Sequence, residues 1–285
     1  MNPYVVEPYT KITNEPSATA SPLVIRDDAA LSVLVHGLSK TGKSTFTSTC
    51  PVPLLVLDAE GSWRFITERG FQSGLPLRTK RWDPMEPPPR YDGTWDVCRV
   101  TVQDWPTVLR VYDWLRTSPH DFVALTLDSI SEVQRRCKRN IKSDGQLQMQ
   151  DWGALLTQMG DILRGLRDLT ENPHNSLRVA VFVAETRENG GKYAPHVQGQ
   201  IGTELPYMFD LVGYLTVIPV MDEHGGTTQY VRRLLIGPPR EDVVVGERVQ
   251  GRLGYTVDDL NIVNMINRVF PLPETTDPHT HGADL

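Results

Sequence analysis

The sequence predicts an α/β protein: a mainly parallel central sheet flanked by helices. Three observations carry that prediction. Strand-like and helix-like segments alternate along the chain. Several strand segments are continuous apolar runs, the pattern of strands buried on both faces. The clearest helix, residues 151–170, carries one apolar stripe, as a helix lying on a sheet does.

The elements follow in order. Residues 1–24 read as an arm rich in Pro, Ser, Thr and Asn, with an apolar patch at Tyr4–Val6. One domain is expected over residues 25–270. Residues 271–285, PLPETTDPHTHGADL, read as a disordered polar tail. Strands are expected at LSVLVH (31–36), PLLVLD (53–58), DVCRVTV (96–102) and FVALTLD (122–128). Further strands are expected at RVAVFVAE (178–185), LVGYLTVIPV (211–220) and TQYVRRLLI (228–236). A helix is expected from Lys43 to Thr49. Another spans 104–117, with Asp104 as N-cap and Pro106 in its first turn. In the third, Trp152, Leu155, Leu156, Met159, Ile162, Leu163, Leu166 and Leu169 recur at three- and four-residue steps, which reads as core packing. Residues 83–95, DPMEPPPRYDGTW, form a proline-rich loop.

Composition narrows the function classes. With 39% hydrophobic and 22% charged residues, the 285-residue chain can bury a sizeable core. A net charge of −6 gives no global pull toward nucleic acid or anionic membrane, so any such binding needs a local basic strip. Cys50, Cys98 and Cys137 form no C-x-x-C pair, which fits a reducing compartment. The N-terminus lacks a signal-peptide pattern and no apolar run spans a bilayer. A cytoplasmic protein is expected.

The apolar run at 31–36 leads straight into GLSKTGKS, Gly37 to Ser44, which fits G-x-x-x-x-G-K-[ST], the Walker A P-loop. Each part has a physical task. Gly37 and Gly42 let the backbone wrap tightly, so that the N–H groups of Leu38, Ser39, Lys40 and Thr41 turn toward phosphate oxygens. The following helix adds its positive N-terminal end. Lys43 reaches the β- and γ-phosphates, the Ser44 hydroxyl ligates Mg²⁺, and Thr45 faces the α-phosphate. The side chain of Lys40 reads as solvent-facing, with phosphate or a neighbouring subunit as alternatives. ATP and Mg²⁺ are the expected cofactors.

Hydrolysis needs more than a phosphate cradle. Asp128 ends an apolar strand, the Walker B arrangement, and is the second metal-side candidate. Glu60, in LLVLDAEGS, follows the next strand after the P-loop helix. In a parallel sheet the strand ends open on the P-loop edge, which makes Glu60 the candidate base, with Asp58 as a competitor.

The succession P-loop, DAEG, TLDS, long amphipathic helix and VAVFVAETRE resembles the RecA-type recombinase core. That resemblance implies a RecA-like fold, Glu60 as catalytic base and Asp128 as the Walker B carboxylate. More narrowly, QDWGALLTQMGDILRGLRDL, the VFVAE strand and GTELPYMFDLVGYL resemble small phage-encoded RecA-like ATPases. These act in single-strand annealing and recombination and often pair with a single-strand-binding protein. The likeness covers residues 28–255. It implies single-stranded DNA and self-association, as ring or filament, and the host cytoplasm as the location. The γ-phosphate sensor of the family is a glutamine; the aligned residue here is Glu185, an anion expected to hold a water or Arg187. The N-terminal arm has no clear F-x-x-A polymerisation motif.

In RecA-like filaments the loops after Walker B and after the sensor strand face DNA. The first region, EVQRRCKRNIKSDG, concentrates Arg135, Arg136, Lys138, Arg139 and Lys142. It reads as a phosphate-binding strip or as a solvated helix face. The second, residues 186–202, carries Arg187 and Lys192 and reads as a long mobile loop. Arg248 and Arg252 are candidates for completing a neighbouring subunit's site, with a local salt bridge as the alternative. Three function classes fit: an ATP-dependent DNA annealing or recombination protein, a P-loop kinase, and a nucleotide-binding switch or scaffold that hydrolyses little.

Overall fold

The computed structural model describes residues 26, 28–71, 74–221 and 226–271. The arm at 1–24 and the tail from 272 onward lie outside the described residues. The described elements run in chain order as β1 (Leu31–Gly37), α1 (Lys43–Thr47), β2 (Leu54–Asp58), β3 (Thr79–Arg81), β4 (Val97–Thr101) and α2 (Trp105–Thr117). Then come β5 (Ala124–Asp128), α3 (Ile130–Ile141), α4 (Met149–Asp168), β6 (Val179–Asn189), β7 (Lys192–Pro195) and α5 (Ile201–Met208). The chain closes with β8 (Leu211–Met221), β9 (Thr227–Leu235), β10 (Gly246–Glu247), β11 (Thr256–Val257) and α6 (Ile262–Val269).

The sheet order is β11-β9-β8-β1-β6-β5-β2-β4-β3. From β3 to β8 every neighbouring pair is parallel; β9, β10 and β11 add antiparallel pairings at the β8 side. The fold is therefore α/β with a mostly parallel sheet covered by helices.

The apolar runs face two ways. Leu55 and Leu57 of β2 pack with α2, α3, α4 and α5 in one core, while Leu54 and Val56 pack with Phe46 of α1 and with α6 in the other. Successive side chains of a strand point to opposite faces, so a strand covered on both sides needs an apolar residue at every position. The stripe of α4 lies in the first core: Leu155, Met159, Ile162, Leu163, Leu166 and Leu169 are buried, with Trp152 and Leu156 packed at its margin. Asp104 caps α2 by accepting a hydrogen bond from the Thr107 N–H at 2.8 Å.

The structure departs from expectation at several places. Residues 186–202 are not one long loop: β6 runs on to Asn189, turns through Gly190 and Gly191 at φ 60° and 81°, and returns as β7. Asn-Gly-Gly between extended segments is a tight-hairpin signal, because both central residues adopt positive φ. A short helix, α5, then follows. Strand β3 and helices α5 and α6 were not anticipated. Helix α1 ends at Thr47, two residues short of the expected Thr49.

Candidate nucleotide site

Because the strands are parallel, their C-terminal ends open on one edge, and the register aligns the chemistry there. Asp58 of β2 stands opposite Asp128 of β5, and Glu185 of β6 stands opposite Gly37 of β1. The P-loop crosses this edge between β1 and α1. Gly42 has φ 98°, and a Cβ there would lie 2.6 Å from the Phe71 ring, so both backbone and space require glycine. Leu38, Ser39 and Lys40 are exposed, Thr41 is buried with its hydroxyl on the Leu38 carbonyl at 3.0 Å, and Thr45 is half-buried in α1.

Lys43 donates through Nζ to the carbonyls of Gly37 and Leu38, both at 2.9 Å. Burial lowers its pKa, and the nearby charges of Glu60, Asp128 and Glu185 oppose that shift. The Ser44 hydroxyl donates to Asp128 Oδ2 at 2.6 Å. That oxygen also accepts from Trp63 Nε1 at 3.0 Å and the Ser62 hydroxyl at 3.3 Å. Burial pushes the Asp128 carboxyl up to about 6; the Ser44 bond opposes this, and Glu60 and Asp58 add to it. Ser44 and Asp128 thus bring a hydroxyl and a carboxylate together beside the loop, the hard oxygen donors that Mg²⁺ takes along with water.

The two acidic residues after β2 differ in surroundings. Asp58 is buried, in an ion pair with Arg99 at 2.6 Å, and accepts from the Gly61 N–H at 2.7 Å. Its carboxylate, the competitor for the base, is therefore already paired. Glu60 is exposed on the edge, and its Oε1 accepts a hydrogen bond from the Ser129 hydroxyl.

Glu185 holds Arg135, not Arg187. Its two oxygens accept from the Arg135 guanidinium at 2.8 and 2.6 Å, and Oε2 lies 3.2 Å from His196 Nδ1. The Arg135 contact holds the Glu185 carboxyl below its ordinary range against a smaller opposing effect of burial. An anion near the phosphate position is tolerable because a cation is already paired with it.

The five cations of 135–142 are not one free strip. Arg135 pairs with Glu132 as well as Glu185, and Arg136 pairs with Glu132 at 3.1 Å. Arg136 also donates to the backbone carbonyls of Ala59 and Gln103. Own-chain acceptors on the nucleotide edge therefore hold both arginines. Lys138 sits over the Trp152 ring at 5.5 Å, Lys142 donates to the Gln146 carbonyl at 2.7 Å and lies 3.7 Å from Asp151 Oδ2, and Arg139 is exposed. Arg187 and Lys192 are exposed on the β6–β7 hairpin. Arg248 donates to the Tyr207 carbonyl, and Arg252 to the Val269 carbonyl at the end of α6. In both cases the acceptor is a backbone carbonyl rather than the carboxylate of the salt-bridge alternative.

Two site residues escaped the sequence reading. His36 is fully buried just before Gly37. Its Nε2 donates to the Val244 carbonyl at 2.7 Å, so Nδ1 accepts from the Thr186 hydroxyl at 2.9 Å. Its only signal was a polar residue closing an apolar strand. Arg232 of β9 donates to the Thr41 carbonyl at 3.2 Å and lies 4.6 Å over the Phe71 ring, bracing the P-loop from outside. No local pattern marks it.

Among the described residues no helix is long and apolar enough to cross a membrane. No curated protein is significantly similar to the chain. Residues 29–249 match the family described as AAA domain, a match that begins just before β1 and takes in the P-loop, Glu60, Asp128 and Glu185. The chain belongs to this AAA domain family, and with it to the nucleotide-binding P-loop ATPases.

Proposed function

We propose that the protein binds ATP with Mg²⁺, hydrolyses it, and acts on single-stranded DNA as a RecA-like annealing or recombination ATPase of phage type. One observation carries the ATPase reading. The Ser44 hydroxyl lies 2.6 Å from the Asp128 carboxylate, and Glu60, bonded to Ser129, is close enough to act electrostatically on Asp128 and Lys43. Among the described residues Lys43 donates to the neutral carbonyls of Gly37 and Leu38, which it can exchange for phosphate oxygens. Glu60 orients the attacking water and accepts its proton. Bound at Ser44 and Asp128, Mg²⁺ would supply charge neutralisation on the phosphate oxygens. Glu185 and Arg135 form the sensor pair, and Arg248 and Arg252 remain the candidates for a neighbouring subunit's site in a self-associated form.

The DNA reading is supported by Lys138, Arg139 and Lys142 on α3 and by Arg187 and Lys192 on the hairpin. Half-buried Trp152 and strongly exposed Met149 add apolar contact at the start of α4. A single-strand-binding protein is the expected partner.

The test is ATP turnover at low salt, with and without single-stranded DNA, beside a Lys43→Ala control. Turnover that DNA stimulates and the control abolishes supports the whole reading. Turnover indifferent to DNA removes the DNA part. Nucleotide binding without turnover favours a switch, a reading that the Glu185 position also supports, since an ion pair there stands in place of a neutral sensor.

A further inference from the structure

Helix α3 begins directly after Asp128 and reaches the Glu60 segment at two points. Its N-cap, Ser129, accepts the Glu132 N–H at 3.3 Å and donates its hydroxyl proton to Glu60 Oε1. Two turns later, Arg136 turns back to the sheet edge. One terminal guanidinium nitrogen, Nη2, donates to the Ala59 carbonyl at 2.9 Å, and the other, Nη1, donates to the Gln103 carbonyl. Glu132 pairs with Arg136 at 3.1 Å, which fixes the guanidinium from its own helix.

The Ala59 carbonyl belongs to the peptide unit that carries the Glu60 nitrogen. On its other side Ala59 donates its N–H to the Asp128 carbonyl at 2.7 Å. Gln103 follows the end of β4, where the Val102 N–H donates to the Asp58 carbonyl at 3.0 Å. Arg136 therefore ties the ends of β2 and β4 together, at the place where the Glu60 carboxylate leaves the sheet. A planar fork with several donors can serve two carbonyls and a carboxylate at once; an ammonium cannot hold that geometry. With its side chain 19% exposed and these acceptors filled, Arg136 is poorly placed to meet a phosphodiester.

We propose that Arg136 is a positioning residue for Glu60: it fixes the Ala59–Glu60 peptide so that the carboxylate, held by Ser129, faces the attacking water. This assignment rests on the reading of Glu60 as the base. Displacing a water-orienting group by a fraction of an ångström costs turnover and leaves binding alone.

The experiment uses the full chain with ATP, a fluorescent ATP analogue for affinity, and a single-stranded oligonucleotide at two salt concentrations. Arg136→Ala is expected to lower kcat by roughly ten- to a hundredfold, with analogue affinity within about twofold of wild type. Oligonucleotide affinity and its salt dependence are expected to stay as in wild type. Arg136→Ala added to Glu60→Gln is expected to cost nothing further, because both act on one group. Should Arg136→Ala not fold, Arg136→Lys keeps the charge but gathers its donors on a single nitrogen, and is expected to lose kcat by a smaller factor. Wild-type kcat in the folded variant, or effects that multiply with those of Glu60→Gln, overturns the assignment. So does a loss of oligonucleotide affinity with kcat intact, which returns Arg136 to the DNA strip. A wild type that binds nucleotide without turnover overturns the reading of Glu60 itself, and the assignment with it.

Discussion

Lys43 holds its ammonium on two backbone carbonyls while three carboxylates surround it at longer range. Glu60, the proposed base, is exposed, whereas Asp58, paired with Arg99, and Asp128, accepting from Ser44, are buried. Glu60→Gln is expected to lower kcat by roughly 10²- to 10⁴-fold with nucleotide affinity retained, checked by single-turnover hydrolysis and equilibrium binding. His36 offers a second test. Burial pushes its pKa from 6.5 down to about 4. Between those values the unfolded chain takes up a proton that the folded chain refuses. The contribution of the neutral ring is thus whole above about pH 6.5 and is lost as pH falls toward 4. Asp128, raised to about 6, works in the opposite sense over the same range, so the wild-type curve alone mixes the two. The stability of wild type minus that of His36→Asn isolates the ring. It is expected to fall between pH 7 and 4 by up to about 3 kcal/mol in denaturant unfolding. A difference that is flat with pH would count against a neutral His36.

At the scale of elements, α3 organises the edge. It takes Glu185 through Arg135, Ala59 through Arg136, and residue 198 through Gln134, whose amide both donates to the Gln198 carbonyl and accepts its N–H at 2.8 Å. The helices behind it pack closely. A Cβ on Gly165 of α4 would lie 2.5–2.9 Å from the hydroxyl and ring of Tyr112 on α2. Gly165→Ala must therefore push α2 and α4 apart or turn the ring, and is expected to destabilise by about 1–3 kcal/mol. A lowered melting temperature with ATP turnover unchanged well below it would match; an unchanged melt would show that the contact yields freely.

For the whole molecule the balance of charge matters. The chain carries a net charge of −6, so binding of a polyanion depends on local cations. Arg135 and Arg136 are held by carboxylates and carbonyls on the sheet edge, and Lys142 has looser partners in Asp151 at 3.7 Å and the Gln146 carbonyl, so the proposed contact falls on Lys138, Arg139 and Lys142. Replacing all three by Ala is expected to weaken single-strand binding at low salt. The slope of log affinity against log salt should become shallower by roughly 0.7 per phosphate contact removed. Fluorescence anisotropy over a salt series measures both, and equal slopes for the two proteins would place the DNA elsewhere or nowhere on this surface.

Residue order alone carried the apolar strands, the capped α2, the striped α4 and the P-loop, with Ser44, Asp128 and Glu60 as candidates on one edge. Each of these is a local signal: a run, a period, a cap or an eight-residue motif, followed by the rule that parallel strands end on one side. The partners were another matter. Arg135 meets Glu185 across 50 residues, Arg136 meets Ala59 across 77, Arg232 meets Thr41 across 191, and His36 meets Val244 across 208. A charge pattern reports the sign of each side chain along one helix and not which of them a distant strand has already neutralised. Short β3, α5 and α6 were equally hidden, since a few residues carry too little periodicity to stand out until packing against the sheet selects them. Which cations already have a partner in the chain was decided by tertiary contact, because only the fold brings those acceptors within hydrogen-bond reach.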